Sequence, residues 1–194
     1  MTKLKYSSLV FASQSHSKHR EYISLLGIVD LKLSMINVVE PQSMNLELLV
    51  EEKIKVVASQ LPDTPFFVEH TALIIDAWKG LPGGLTHVFM DSVGNDGICK
   101  MMHAYKGDER TARAKLVIGY YHQSSGVQTF TGDVSGTIAQ QPRGTNNFGW
   151  DPIFIPHGES MTYAEMSLDE KNRTSMRREA IEKFRRYLLQ HYEL

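Results

Sequence analysis

The sequence predicts a mixed α/β fold, a mixed sheet with flanking helices, and three observations predict it. Short apolar runs alternate with helix-spaced segments through the first 61 residues. Two long runs after residue 112 read as adjacent antiparallel strands, and an amphipathic helix closes the chain.

Leu9-Val10-Phe11-Ala12 reads as a short buried strand that runs into a polar loop, Ser13 to Lys18. Tyr22, Ile23, Leu25 and Leu26 then give residues 18–26 an amphipathic helix, stopped by Gly27. Residues 31–36 alternate in part and predict a second strand. Leu46, Leu49, Val50, Ile54 and Val57 have helical spacing, and that helix ends at Pro62. Residues 66–75 are apolar except for Glu69, His70 and Thr71, which predicts two strands meeting at a polar junction. Lys79 to Gly84 is a strong breaker. Residues 88–105 are weakly helical, interrupted at Gly94 and Gly97, and residues 113–122 and 127–139 predict strands joined at Ser124-Ser125-Gly126. Ser167 and Glu170 form a capping box for a helix start. The last helix buries Ile181, Phe184 and Leu188.

Composition narrows the function classes. With 42% hydrophobic and 22% charged residues, the 194-residue chain has the makeup of a globular protein, and we expect one domain over 1–194. A formal net charge of −1 provides no global positive field for nucleic acid or an anionic membrane, so neither is an expected partner. Any phosphorylated ligand must find its positive charge at one site. The single cysteine, Cys99, excludes an intrachain disulfide and suits a reducing, cytoplasmic location; nothing around it marks a nucleophile. The apolar run at residues 9–12 is too short for a signal peptide, and no segment approaches the ~20 apolar residues of a spanning helix.

Three polar clusters fall at the ends of apolar strands, where α/β folds place ligands. Ser13-Gln14-Ser15-His16-Ser17-Lys18 offers hydroxyls, backbone amides and one ammonium at a helix start, which suits either a phosphate cradle or an ordinary capping loop. Glu40 with Glu69-His70-Thr71 combines two carboxylates and an imidazole, either as ligands of a divalent cation or as a wet edge. Glu69 and His70 are adjacent, so a regular strand sends them to opposite faces, and sharing one metal requires a kink. Gly144 to Pro152, which includes Asn147, sets Phe148 and Trp150 among glycines, either to stack on a base or as a structural turn.

Taken together and in this order, the segments resemble the inosine triphosphate pyrophosphatase family. The strongest match is Phe148-Gly149-Trp150-Asp151-Pro152-Ile153-Phe154, followed by Thr162-Tyr163-Ala164-Glu165-Met166 and Glu170-Lys171-Asn172. Val68-Glu69-His70-Thr71-Ala72-Leu73 and Gly80-Leu81-Pro82-Gly83 resemble the family's V-E-D-T-x-L and G-x-P-G. Phe11 to Lys18 is the loosest match, against T-G-N-x-x-K. The resemblance runs nearly end to end.

The resemblance implies two lobes around a central nucleotide cleft, a homodimer, and hydrolysis of non-standard purine nucleoside triphosphates to a monophosphate and pyrophosphate. It places Lys18 on the triphosphate with Ser13 and Ser15 around it, and Glu52 or Lys53 nearby. Phe148, Gly149, Trp150 and Asp151 would line the base pocket, with His87, Lys171 and Arg177 also reaching the nucleotide. Mg²⁺ would be held by Glu40, Glu69 and His70, with Lys18, Glu69 and His70 as catalytic groups and Thr71 beside them.

Departures fall inside this site. Gln14 and Ser15 replace Gly and Asn, and His87 stands where a basic residue is common. His70 replaces a metal-binding aspartate, and an imidazole suits Mn²⁺ better than Mg²⁺ while also being able to act as a base near neutral pH. Met176 replaces a histidine that bonds the 6-oxo purine edge. Two further readings therefore stand beside the family reaction: the same fold with another nucleotide or metal, and a nucleotide-binding homologue that has lost catalysis.

Overall fold

The structure is a computed structural model that describes residues 4–146 and 148–193. Among these, nine strands and six α-helices follow one another in a mixed α/β order. Strand β1 (Leu4–Lys5) precedes β2 (Val10–Ala12), α1 (His16–Leu26), β3 (Lys32–Ser34), α2 (Leu46–Gln60) and β4 (Phe66–Ile75). Strand β5 (Pro82–Gly83), α3 (Thr86–Ser92) and α4 (Gly94–Met101) lead to β6 (Thr111–His122) and β7 (Gly126–Ile138). Strand β8 (Phe154–Pro156), α5 (Leu168–Thr174), α6 (Met176–His191) and β9 (Tyr192–Glu193) complete the order.

The main sheet runs β3-β2-β4-β6-β7-β8, with β5 against β4. Strands β2, β3 and β4 are parallel, and β4, β6, β7 and β8 pair antiparallel. Strands β1 and β9 form a separate parallel pair. Parallel pairing requires crossovers, and α1 and α2 provide them. Apolar side chains pack on both faces of the sheet. Phe11, Tyr22, Phe67 and Phe184 lie in the core shared with α1 and α6, whereas Val50, Ile54, Val57 and Val68 lie in the core under α2.

Local chemistry explains the helix ends. Ser15 caps α1 by accepting from the Lys18 amide, and Gly27 ends it in the left-handed region at φ 73°. The capping box forms as the sequence predicts: Ser167 accepts from the Glu170 amide, and the Glu170 carboxylate accepts from the Ser167 amide.

Two expectations are corrected. Residues 66–75 form one uninterrupted strand, paired with β6 from Phe66 opposite Tyr121 to Ile75 opposite Ala112. The polar triplet does not break the strand because its side chains find bonds in the interior. The 88–105 segment is helical to Met101 and broken at Gly94, which takes φ 62°, as expected, but Gly97 lies within α4 and does not interrupt it.

Helix α6 approaches β7 closely at Gly132. A Cβ there would stand 1.8 Å from the Met176 carbonyl oxygen and 3.0 Å from the Ala180 amide, so only glycine lets the start of α6 rest on the strand. We expect Gly132→Ala to destabilise the protein by about 1–3 kcal/mol, the usual range for overpacking. A shift in the urea unfolding midpoint measures it, and an unchanged midpoint would show that α6 can retreat freely.

Candidate active site

The unbroken course of β4 decides what Glu69 and His70 can do. Phe67, Leu73 and Ile75 enter the core with α1 and α6, whereas Phe66, Val68 and Ala72 enter the core under α2. Glu69 and His70 therefore leave the strand on opposite faces.

Glu69 is buried among donors. The Tyr22 hydroxyl donates to Oε2 at 2.7 Å, and Arg177 donates through Nη2 to Oε1 at 3.1 Å and through Nε to Oε2 at 3.4 Å. Lys18 Nζ stands 2.9 Å from Oε1, and the Thr71 hydroxyl donates to Oε1 at 3.4 Å. Burial alone would push the Glu69 carboxyl up, but Arg177 and Lys18 outweigh it and hold the group well below the usual carboxylate range. Burial likewise works against the Arg177 cation, yet Glu69 and Glu21, whose Oε2 is 2.8 Å from Nη1, raise its pKa.

His70 faces α2. Its Nε2 lies 3.1 Å from the Gly84 carbonyl oxygen, which can only accept, so Nε2 carries a proton. The other ring nitrogen, Nδ1, lies 3.3 Å from Glu40 Oε2. Glu40 Oε1 meets Lys53 Nζ at 2.7 Å, and the same ammonium donates to the Glu69 backbone carbonyl at 2.9 Å. Burial would raise the Glu40 pKa, but His70 and Lys53 hold it down at about 2. Burial also lowers the Lys53 pKa, and Glu40 opposes that shift. Glu52 instead pairs with Lys55 at 2.6 Å on the surface.

Of the three expected metal ligands, the fold brings Glu40 and His70 together and commits Glu69 to Arg177, Lys18 and Tyr22. Among the described residues, no group of three or more His, Cys, Asp or Glu side chains converges as a metal site. The remaining pair suits a cation whose other ligands come from elsewhere, such as phosphate oxygens.

A cavity of about 270 Å³ opens beside the Glu69 cluster. Lys18, Thr71, His87, Phe148, Gly149, Trp150, Asp151, Met176 and Arg177 line it, as do Thr86, Met90 and Asp91. Small-ligand pockets start at roughly 300 Å³, so this one has room for about one ring system. Lys171 lies behind the wall in a buried ion pair with Asp151, its ammonium 5.2 Å from the Phe148 ring centre. Burial pushes the Asp151 carboxyl up, against the pull of Lys171 and Arg177. Asn95 donates to the Gly149 carbonyl at 3.0 Å and braces the loop. Asn147 lies outside the described residues.

Helix α6 delivers Met176 and Arg177 together, its first turn capped by Ser175. The Met176 thioether is buried and lies 3.8 Å from the Ser175 hydroxyl. His87 is exposed at the rim and pairs with Asp91 at 2.8 Å. Ser13 and Ser15 bond within their own loop: the Ser13 hydroxyl accepts from the Ser15 amide, and Ser15 caps α1.

Sequence reasoning missed Tyr22, Glu21, Thr86, Met90 and Asp91. A signal existed for Tyr22, which follows Lys18 by one helical turn and so shares its face. Nothing in the sequence marks its hydroxyl as the partner of Glu69.

The sheet, the cationic cluster and the aromatic cavity define a mixed α/β protein with a charged ligand cleft. A HAM1 protein from Coxiella burnetii superposes with a TM-score of 0.81 at 26% identity, covering 94% of this chain and 98% of that one. The Ham1 protein of Staphylococcus aureus gives 0.80 at 24% identity, covering 94% and 98%. The chain belongs to the Ham1 family, whose model matches residues 9–187. Among its relatives, the dITP/XTP pyrophosphatase of Methanopyrus kandleri is 36% identical, covering 91% of this chain and 93% of its own length. The inosine triphosphate pyrophosphatase of Aspergillus fumigatus is 37% identical, covering 93% and 94%.

Two expectations follow from the buried charges. Glu69→Gln removes one of the two carboxylates that face the buried Arg177, leaving Glu21 alone, and should destabilise the fold by about 3 kcal/mol in urea unfolding, the low end for a broken buried pair. The pH dependence follows from folded-state carboxyls held below the ~4.3 of a free glutamate. Their stabilisation is whole above that value and is lost as pH falls through the folded pKa, which for Glu40 is about 2. Unfolding midpoints should therefore drop below about pH 4.3, and Glu40→Gln should flatten part of that drop. A variant with the same slope as the parent would contradict the assignment.

Proposed function

We propose that the protein is an enzyme that hydrolyses non-standard purine nucleoside triphosphates, those of inosine, deoxyinosine and xanthosine, to the monophosphate and pyrophosphate. Family membership and relatives named dITP/XTP and inosine triphosphate pyrophosphatases support this reading. The observation that carries it is the junction of an aromatic-walled cavity with the two cations, Lys18 and Arg177, that share Glu69.

In this reading Phe148 and Trp150 stack on the base, and Asp151, braced by Lys171, faces its edge or the sugar. Lys18 and Arg177 neutralise the phosphates, with Ser13 and Ser15 in the loop before Lys18 and with Lys53 beside Glu40 on the α2 side. Water adds to the α-phosphorus while the bond to the bridging oxygen breaks and pyrophosphate leaves. A divalent cation, Mg²⁺ by the family resemblance, would be held by Glu40 and His70 and would offset charge building up on the phosphate oxygens. Preformed cations act most strongly at charge that appears only in the transition state.

A single two-lobed domain, a homodimer and a cytoplasmic location belong to the same reading; the lobes and the homodimer rest on the resemblance, the single domain on the chain length and the location on the lone cysteine. Among the described residues, no helix is long and apolar enough to cross a membrane.

One observation favours a second reading. Met176, whose thioether is a poor hydrogen-bond partner, occupies the cavity wall where the resemblance expects histidine. The same reaction with a different base preference would follow.

Pyrophosphate release from a panel of triphosphates tests both. Preferential cleavage of inosine or xanthosine triphosphate supports the first reading, and preference for another base supports the second. No release with any divalent cation would sink both and leave a nucleotide-binding protein without catalysis. In an active protein, Lys18→Ala should lower kcat by about 10²-fold, the scale of one lost charge-stabilising group.

A further inference from the structure

The aromatic wall of the cavity is tied down at one point. Gly149, exposed and at φ 54°, turns the chain between Phe148 and Trp150. Upstream, the Thr145 and Asn146 amides donate to the Ala164 carbonyl at 3.3 and 3.4 Å. Downstream, the Asp151 amide donates to the Phe148 carbonyl at 3.1 Å and the Ile153 amide to the Trp150 carbonyl at 3.1 Å. Among the described residues, 148–150 hydrogen-bond outside this turn only where Asn95 Nδ2 donates to the Gly149 carbonyl at 3.0 Å.

Asn95 holds that carbonyl from a fixed base. It lies in the first turn of α4, whose Ile98 and Cys99 are buried in the core, and Cys99 Sγ donates to the Ala139 carbonyl at 3.3 Å. Gly94, at φ 62°, separates this anchored helix from α3, which carries His87, Met90 and Asp91 to the cavity. Asn95 therefore joins the helical wall of the cavity to its aromatic wall, 54 residues away in sequence.

The partner also fixes the orientation of the amide. A carbonyl oxygen only accepts, so Nδ2 must face Gly149 and Oδ1 is turned away from it. Oδ1 is shut off from water and meets no donor among the described residues. The amide is thus held by its donor end alone. Aspartate has the same shape and the opposite effect, because one carboxylate oxygen would face the Gly149 carbonyl and the other would be shut off without a partner.

We propose that Asn95 is a positioning residue for nucleobase binding: its bond to Gly149 holds the Phe148 ring against the cavity and sets how tightly a base is gripped, while the phosphate contacts do not depend on it. The inference rests on the reading that a base enters this cavity. Phe148 is only half-buried, so its loop must be ordered from outside, and a loop ordered before the ligand arrives spares that cost on binding. Lys18 and Arg177 are ordered separately, by Glu69. Releasing the loop weakens the hold on the base and leaves the cations in place, a separation that a general loss of stability would not produce.

Calorimetric titration, with Mg²⁺ throughout, compares two kinds of probe. The α,β-imido analogues of inosine and adenosine triphosphate carry a base and resist cleavage, whereas inorganic triphosphate carries the charge without a base. In Asn95→Ala we expect the better-bound analogue to weaken by about three- to tenfold, the scale of one lost hydrogen bond, with inorganic triphosphate within about twofold of the parent. Asn95→Asp should weaken the analogue further. Without ligand, hydrogen exchange at residues 144–151 should quicken in both variants while the rest of the protein is unchanged. Equal weakening of analogue and inorganic triphosphate, or parental affinity for the analogue in Asn95→Asp, would overturn the proposal. Circular dichroism checks folding, and either folded variant decides. An analogue that binds the parent no better than inorganic triphosphate would sink the reading of a base in the cavity, whereas unchanged loop exchange would sink the role of Asn95 alone.

Discussion

A carboxylate buried under two cations governs this structure. Glu69 sits in the middle of β4, out of water, where an isolated charge would be prohibitively unstable. Its partners come from distant parts of the chain: Lys18 and Tyr22 from α1, Arg177 from the first turn of α6. The ionised group cannot be accommodated unless both helices close on it, so the same bonds that satisfy Glu69 assemble the cleft. Such a cluster adds little net stability beyond well-packed apolar groups, but it specifies one arrangement and penalises its alternatives. Lys18 and Arg177 are thereby fixed in place beside the cavity.

Strand parity divides the labour on β4. Consecutive residues serve different sides of the sheet, Glu69 ordering cations on one face and His70 meeting Glu40 on the other. Lys53 links the two, since it bonds the side chain of Glu40 and the backbone of Glu69. Helix α2 is thus tied to the backbone of β4 and to Glu40 through one ammonium.

Much of this was legible in the sequence, and the reason differs from element to element. The last helix and the capping box at Ser167 are written in local periodicity and side-chain chemistry, which depend on near neighbours. The long hairpin after residue 111 is equally local. By contrast, β4 read as two strands because a polar triplet in an apolar run looks like a break, and its hydrogen-bond partners lie on α1, α6 and the Gly84 loop. The cavity wall at Phe148, Trp150 and Asp151 was visible through the family's motifs. Tyr22 was hidden because its ring fits the apolar face of α1, and only the fold shows that its hydroxyl reaches a buried acid 47 positions away. Thr86, Met90 and Asp91 were hidden for the opposite reason: they gain meaning only by standing opposite the Phe148 loop.

The placement of Trp150 gives the protein a built-in optical gauge. The chain has two tryptophans, Trp78 and Trp150, and the second forms part of the cavity wall, packed edge-on to Phe154. A heteroaromatic ring entering that space would exchange the indole's surroundings for a stacked neighbour, while Trp78, packed near Phe89, provides an internal reference. Occupancy of the cleft is therefore coupled to the intrinsic emission of the molecule, and filling can be followed by light without attaching a dye.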